Sequence, residues 1–528
     1  MRKVIRRSCA LAALLLGAVG LTAASLPPGL QDLDATVERA RKVFDVPGIA
    51  VAIVKDGEVV WAKGYGVKKS GGNDAITADT LFAIASNSKA FTTAALALLA
   101  DEGELAWDDP VTAHLPGFQM HDAYATQQMT VRDLLTHRSG LGLGAGDLLF
   151  WPPTDYPTAE IVRRLRFIRP ATSFRASYAY DNILYATAGE LIRAVSGLTW
   201  QQFVRERIFG PVGMTNSVTD AGDIKPGADV AEPHAKADFK GAPLVIGRCS
   251  WSNAAGAGAI YSSVADLAKW VTVQLNGGVI KGADGKETVL FSRAQQSELW
   301  RPQSPIPITV PGPLAELKPN FLAYGLGWTL QDFRGHKVVS HTGGFPGYVS
   351  TVMMVPDLNV GVIVLTNQEE GGAFRSVAWH VIQAYTGEAK TDLVAAYREV
   401  RLGQLQEAED TAKEQEAKRD AKSKPSLPLG KYAGTYRDGW YGDVSVAEKN
   451  GKLAIKFSHT PALVGELEYW QHDTFVARWA DRTLNADAFV TFALTPDGGI
   501  DRVKMEAMSP LADFSFDFQD LELKPVEN

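Results

Sequence analysis

Cysteine is almost missing from this chain: its 528 residues contain two, Cys9 and Cys249. Cys9 lies in a stretch that reads as a cleavable leader, so the mature chain keeps one thiol and no intrachain disulfide, and stability has to come from packing. Long hydrophobic runs are equally scarce. The apolar block Cys9–Leu21 is short for a bilayer. It follows the basic start Met1-Arg2-Lys3-Val4-Ile5-Arg6-Arg7 and precedes the small residues Thr22-Ala23-Ala24, the layout of a secretory signal. The expectation is a signal peptide over residues 1–25, export to a periplasm or the medium, and no stable membrane span. A surplus of positive charge is also lacking. The net charge is −7 and no basic stripe appears, which argues against a nucleic-acid partner. The nine histidines are scattered without metal-like spacing. The small-residue run Ala254–Ser263 carries no Gly-Lys-Ser/Thr and is read as close backbone packing rather than a phosphate loop. No metal and no cofactor is expected.

What is present describes a globular protein of two or three cores, with 46% hydrophobic and 21% charged residues. Apolar residues at helical spacing (Leu30, Leu33, Val37, Ala40, Val43) predict an N-terminal helix. Two β-rich runs, 48–54 and 59–67, flank Asp56-Gly57, a tight-hairpin signal. From about residue 108 to 250 the pattern is helical and loop-rich, with Thr130–Leu141 reading as a capped helix ending at a Gly turn. A helix is predicted over 264–275, then strands over 325–330, 337–341, 348–355 and 360–366, and a closing helix near 373–385. Strands at both ends with helices between predict one sheet assembled from the two ends of a domain spanning 26–390, with an all-helical insertion. Residues 391–428 read as a charged helical connector and linker. Residues 429–528 are almost all β, a small barrel or sandwich whose aromatics Trp440, Tyr469, Trp470 and Trp479 are read as core.

The chemistry centres on Ser86-Asn87-Ser88-Lys89, the chain's one Ser-x-x-Lys, which opens an alanine- and leucine-rich helix predicted to stop at Asp101-Glu102-Gly103. Residues three apart share a helix face, so the Lys89 amine can reach the Ser86 hydroxyl at a helix start that favours developing negative charge. Alone the motif is weak, since a serine there is usually just a cap. Two further short motifs follow along the chain: Tyr180-Asp181-Asn182 and His341-Thr342-Gly343, followed by Gly344.

Taken together these motifs resemble the penicillin-binding-protein and class C β-lactamase superfamily of serine hydrolases over roughly residues 30–390. The resemblance implies a β-lactamase/transpeptidase-like α/β (α+β) fold, an antiparallel sheet flanked by helices. It implies catalytic roles for Ser86 (nucleophile), Lys89 and Tyr180 (proton transfer, with the general base unassigned between them). It implies substrate-binding roles for Asn182, His341, Thr342, Gly343 and Gly344, and an oxyanion hole at the N–H groups of Ser86 and Gly344. His341 departs from the lysine common in β-lactamases, so the fixed cation that recognises a substrate carboxylate is lost or becomes pH-dependent. The C-terminal segment resembles the lipocalin-like β domain appended to some of these hydrolases, with roles open among shaping the cleft, binding a ligand and supporting an oligomer. The expected function is hydrolysis of an amide or ester of a small substrate through an acyl-enzyme, as a peptidase of D-aminopeptidase or carboxypeptidase type. The alternatives are a carboxylesterase, a β-lactamase, or a non-catalytic penicillin-binding sensor.

Overall fold

The computed structural model describes residues 26–282, 284–387 and 391–526; the leader at 1–25 lies outside them. The first domain is built on an eight-stranded antiparallel sheet. Its strands in chain order are β1 (Gly48–Lys55), β2 (Glu58–Gly66), β3 (Ser304–Pro305), β4 (Leu322–Tyr324), β5 (Thr329–Phe333), β6 (His336–Phe345), β7 (Tyr348–Val355) and β8 (Val360–Thr366), arranged β2-β1-β8-β7-β6-β5-β4-β3. The two ends of the domain thus meet at the β1–β8 pair, as the alternation of β and helical stretches predicted. Asp56 and Gly57 both adopt positive φ (54° and 84°), which turns the β1–β2 hairpin.

Both sheet faces are covered, and the period of two decides which side chain goes where. Ile49, Val51, Ile53, Val362 and Val364 face α1 (Leu33–Val43) and a late helix over Gly371–Thr386. Ala50, Ala52, Ile363 and Leu365 face the other way, toward α2 (Lys89–Asp101), the helical insertion and the helix Val264–Leu275. Helix α2 is apolar all round because it is enclosed on every side, with Phe91 stacked on Trp270 at 4.3 Å.

Three local expectations differ from the structure. Thr130–Leu141 is not a helix. Only a short 3-10 turn, Asp133–Leu135, forms there: the reciprocal Thr130–Asp133 bonds of a cap are present, but His137 at φ 54° stops the turn and the Asp133 carboxylate is also drawn to Arg138 and Arg175. Of the strand expected at 325–330 only Thr329 and Leu330 are strand, the start of β5, while 325–328 form the connection from β4. Ser86 lies in a 3-10 turn, Ala85–Ser88, just before α2 rather than in its first α-helical turn.

A helix over Leu393–Lys418 leads to the second domain, an antiparallel sheet of eight strands ordered from Ile500–Ala507 at one end to Lys524–Pro525 at the other. A bridge between Val503 and Leu523 joins the two ends, so the sheet is a nearly closed barrel. Two of its strands, Val464–Gln471 and Ile500–Ala507, escape the sequence pattern because charged and polar residues alternate through them. Trp440 and Trp479 are buried in the barrel, while Tyr469 and Trp470 are half-buried.

Candidate active site

The turn carrying Ser86 is held from below. Ser350 Oγ on β7 donates to the Ile84 carbonyl at 2.8 Å, and Asn87 Nδ2 donates to Ser350 Oγ at 2.8 Å. Ala85 is pinned at φ 49°, a left-handed conformation that L-residues avoid and that persists only where the surroundings enforce it. Strand β6 approaches so closely that a Cβ on Gly343 would fall 2.1 Å from the Ile84 carbonyl oxygen; glycine is required there. At Gly344 a Cβ would meet nothing within 4 Å. That glycine faces open space in the cavity that Ser86 also lines.

Ser86, Tyr180, Asn182, His341, Thr342 and Gly344 line one cavity of about 300 Å³ between β6 and the helical insertion. Lys89 lies fully buried beneath Ser86. Its Nζ is 3.0 Å from Ser86 Oγ, 2.7 Å from Asn182 Oδ1 and 2.9 Å from the Ala257 carbonyl oxygen. Burial pushes its pKa down to about 7, against the opposing pull of the Asp147 and Asp181 carboxyls. The partners then dictate what a neutral amine does. Asn182 Oδ1 and the Ala257 oxygen can only accept, so they take the two N–H bonds of an uncharged Lys89. The lone pair is left for Ser86, the one partner able to donate.

Tyr180 lines the same cavity as the serine, its ring 4.9 Å from Lys89 Nζ. Burial raises its phenol well above 10, and hydrogen bonding to Ser86 is the opposing influence. At neutral pH it is therefore a protonated phenol, not a phenolate. His341 donates Nδ1–H to the Thr342 carbonyl (2.6 Å), so its Nε2 accepts the Tyr324 hydroxyl (2.8 Å). Burial, aided by Lys89, depresses its pKa to about 3. His341 is a neutral imidazole in a fixed tautomer, and the position where β-lactamases carry a cation holds none.

The sequence reading missed several participants. Tyr324, whose hydroxyl meets His341 Nε2, sits in a three-residue strand with no motif around it. Asp147 is buried behind Asn182, accepts its Nδ2 at 2.8 Å, and is pushed up to about 8 by burial. Asp513, Phe514 and Ser515, from the barrel domain, form one wall of the cavity. His137, read as a turn residue, is fully buried at φ 54° and packs 4.2 Å from the Tyr180 ring, its Nδ1 accepting the Asp181 N–H. Nothing local in the sequence marks the barrel segment, which lies more than three hundred residues from Tyr180 and reaches it only through the fold.

A serine whose hydroxyl meets an amine of lowered pKa, beside a buried phenol and a glycine-lined strand edge, is the arrangement of a serine hydrolase. The Beta-lactamase family profile matches residues 33–386; the chain belongs to that family and is a hydrolase. A domain of unknown function, DUF3471, matches residues 418–525. Among its relatives, an unguisins hydrolase of Aspergillus violaceofuscus is 27% identical over 501 residues, covering 88% of this chain and 86% of that one. Penicillin-binding protein 4 of Amycolatopsis lactamdurans is 27% identical over 349 residues, 66% of this chain and 87% of the relative. In fold, the octameric penicillin-binding protein homologue from Pyrococcus abyssi aligns with a TM-score of 0.57 at 21% identity, covering 93% of this chain and 99% of that one. Among the described residues no helix is long and apolar enough to cross a membrane.

Proposed function

We propose that the enzyme hydrolyses amide bonds of small peptides bearing a free amino terminus, as an aminopeptidase acting through an acyl-enzyme on Ser86. Neutral Lys89 takes the serine proton as Oγ attacks the carbonyl. The N–H groups of Ser86 and Gly344 receive the oxyanion, and the Tyr180 phenol supplies a proton to the departing amine. Asn182 and the β6 edge at Thr342–Gly344 hold the substrate amide. Deacylation follows when water attacks the ester, with the proton inventory of Lys89 and Tyr180 restored.

One observation carries the choice of substrate end. The cavity wall presents the Asp513 carboxyl, which forms no ion pair with a cation among the described residues and which burial holds above the usual carboxylate range, while His341 in the same cavity is neutral. A cleft wall with an unpaired carboxyl and a neutral imidazole suits an ammonium group better than a substrate carboxylate. That favours an aminopeptidase over carboxypeptidase and β-lactamase readings, both of which call for carboxylate recognition. An esterase remains the second reading, because Trp151, Trp251 and Phe514 give the cavity apolar walls able to take an uncharged acyl group. We further propose export with removal of residues 1–25, which N-terminal sequencing of the mature protein tests.

The deciding measurement compares D- and L-aminoacyl p-nitroanilides with their N-acetylated forms, alongside p-nitrophenyl butyrate and nitrocefin, on the parent and on Ser86→Ala. Free-amine amides should be the preferred substrates, and Ser86→Ala should be inert and take no fluorophosphonate label. Equal turnover of acetylated and free-amine substrates overturns the aminopeptidase reading. Faster turnover of the butyrate ester than of every amide installs the esterase in its place.

A further inference from the structure

Asn182 has two nearly identical ends, an oxygen that accepts and an NH2 that donates, and which end faces Lys89 decides whether the base works. With Oδ1 toward Lys89 the amine spends an N–H on it and keeps its lone pair for Ser86. With Nδ2 toward Lys89 the amide would claim that lone pair and leave the serine without a base. Something has to fix the choice. Asp147 Oδ2 accepts Asn182 Nδ2 at 2.8 Å, and the same oxygen accepts Ser515 Oγ at 2.8 Å. Asp147, Ser515 and Asn182 are all buried.

Ser515 belongs to the barrel domain, in the segment after its strand Ile500–Ala507. The neighbouring Asp517 Oδ2 and Oδ1 take the N–H groups of Gly146 (2.6 Å) and Leu148 (3.1 Å), the two residues that bracket Asp147. The approach is close at Gly144 as well, where φ is 70° and a Cβ would lie 2.7 Å from the Phe514 carbonyl oxygen. The barrel therefore grips the backbone on both sides of Asp147 and its carboxyl from the front.

We propose that Asp147 and the barrel's Ser515 are positioning residues for the general base: they orient the Asn182 amide so that its oxygen, and not its NH2, faces Lys89. The barrel is then part of the catalytic machinery rather than an appended module. This rests on the serine hydrolase reading with Lys89 as base, and deepens it.

The test uses the full-length protein, with fluorophosphonate inactivation rate, kcat and KM read together with thermal unfolding. Asp147→Leu removes the acceptor and lets the amide turn; inactivation rate and kcat should fall about 100-fold, with a smaller rise in KM of up to about tenfold because Asn182 also holds the substrate amide, while the oxyanion contacts are untouched. Asp147→Asn can offer a carbonyl oxygen at the same place, and should retain activity within about tenfold of the parent. Ser515→Ala should lose about fivefold to tenfold in kcat, and Ser515→Thr, which keeps the hydroxyl, should recover most of it. Ser515→Ala and Asp147→Asn are mild enough to decide the matter if Asp147→Leu does not fold. The proposal is overturned if Ser515→Ala lowers the unfolding temperature but leaves kcat and inactivation rate at parental values, or if Asp147→Asn is as impaired as Asp147→Leu. Either result leaves the hydrolase reading intact; only parental labelling of Ser86→Ala would remove that.

Discussion

Inside the barrel, Tyr432, Tyr436, Phe475 and Phe492 pack ring against ring with centroids 5.0–5.8 Å apart. Their polar ends are led to partners: Tyr436 donates to the Tyr432 carbonyl at 2.7 Å, and Trp479 Nε1 to the Ala486 carbonyl at 2.7 Å. Inside the cleft, barely a domain away, Lys89, Asp147 and His341 are buried with pKa values of about 7, 8 and 3, each driven toward its neutral form by desolvation. Among the described residues, Asp147 Oδ1, Asp181 Oδ1 and His137 Nε2 are buried without a hydrogen-bond partner, and no such atom belongs to the barrel. A core selected for stability satisfies its polar groups or omits them. A site selected for proton transfer keeps titratable groups out of water, at a penalty in folding free energy, so that they can change charge near neutral pH. Substitutions in the two interiors should accordingly separate activity from stability in opposite directions.

The largest separation is expected at Ser86. Ser86→Ala should reduce turnover by at least about 10⁴-fold, on the scale of nucleophile removal in serine hydrolases, without lowering the unfolding midpoint in urea. A loss of stability comparable to a core truncation would mean that the serine is structural and the comparison false. Lys89→Met should approach the same loss, and the double variant should be no worse than Ser86→Ala alone, because the two act as one unit.

Lys89 also offers the sharpest test of the folding penalty. Its folded pKa of about 7 lies below the value near 10.4 expected when unfolded. The unfolded chain therefore binds more protons between pH 7 and 10, and stability rises with pH across that window; below pH 7 the penalty is fully present. Lys89→Met removes it. We expect the variant to be more stable than the parent by ~1–3 kcal/mol at pH 6, once lost hydrogen bonds are discounted, with the gap closing by pH 10. Urea melts at the two pH values check this, and a gap that widens with pH refutes it.

The barrel should behave in reverse. Phe492 is buried between Tyr432, Tyr436 and Phe475. Phe492→Ala should destabilise by ~3–5 kcal/mol, the usual range for emptying an aromatic site, while kcat per folded molecule stays within about twofold. Active-site titration with a fluorophosphonate supplies the folded count.

The contrast also explains what could be read from the sequence. Periodicity and turn chemistry report local structure, and the first sheet, the helix Val264–Leu275 and the Asp56-Gly57 hairpin are legible because their own residues specify them. Ser86, Lys89, Tyr180, Asn182 and His341 are legible as three short motifs, and the fold brings them together at one cavity. Asp147, Tyr324 and Ser515 are not, because their roles exist only across long separations: Ser515 meets Asp147 from 368 residues away, and a serine in a loop looks the same whether or not it does so. Thr130–Leu141 misleads for a related reason. Its capping pattern is real, but Asp133 is captured by Arg175, 42 residues on.

A finer separation concerns pH. If neutral Lys89 is the base, kcat/KM should follow its uncharged fraction, level above about pH 7.5 and falling tenfold per unit below about 7. His341 should add no inflection between pH 5 and 8, since burial holds its pKa near 3.

The smallest effect is expected at Tyr324, and it probes whether the neutrality of His341 is imposed. The Tyr324 hydroxyl donates to Nε2 while Nδ1–H is held by the Thr342 carbonyl, so both ring nitrogens are spoken for and protonation at Nε2 would require the phenol to give up its donor bond and turn to accept. Tyr324→Phe removes that donor and leaves Nε2 free to take a proton. The pKa of His341 should rise, yet remain below its usual 6.5, because burial and Lys89 still oppose the cation. At pH 7 the imidazole stays neutral, so kcat/KM should fall by no more than about threefold to fivefold. At pH 5 a new fraction of imidazolium should weaken binding of free-amine substrates, like charge against like, more than that of their acetylated counterparts. NMR titration of the imidazole signals reads the pKa directly, and a His341 that still titrates near 3 in the variant would mean that burial alone, not the phenol, keeps the cleft free of a cation.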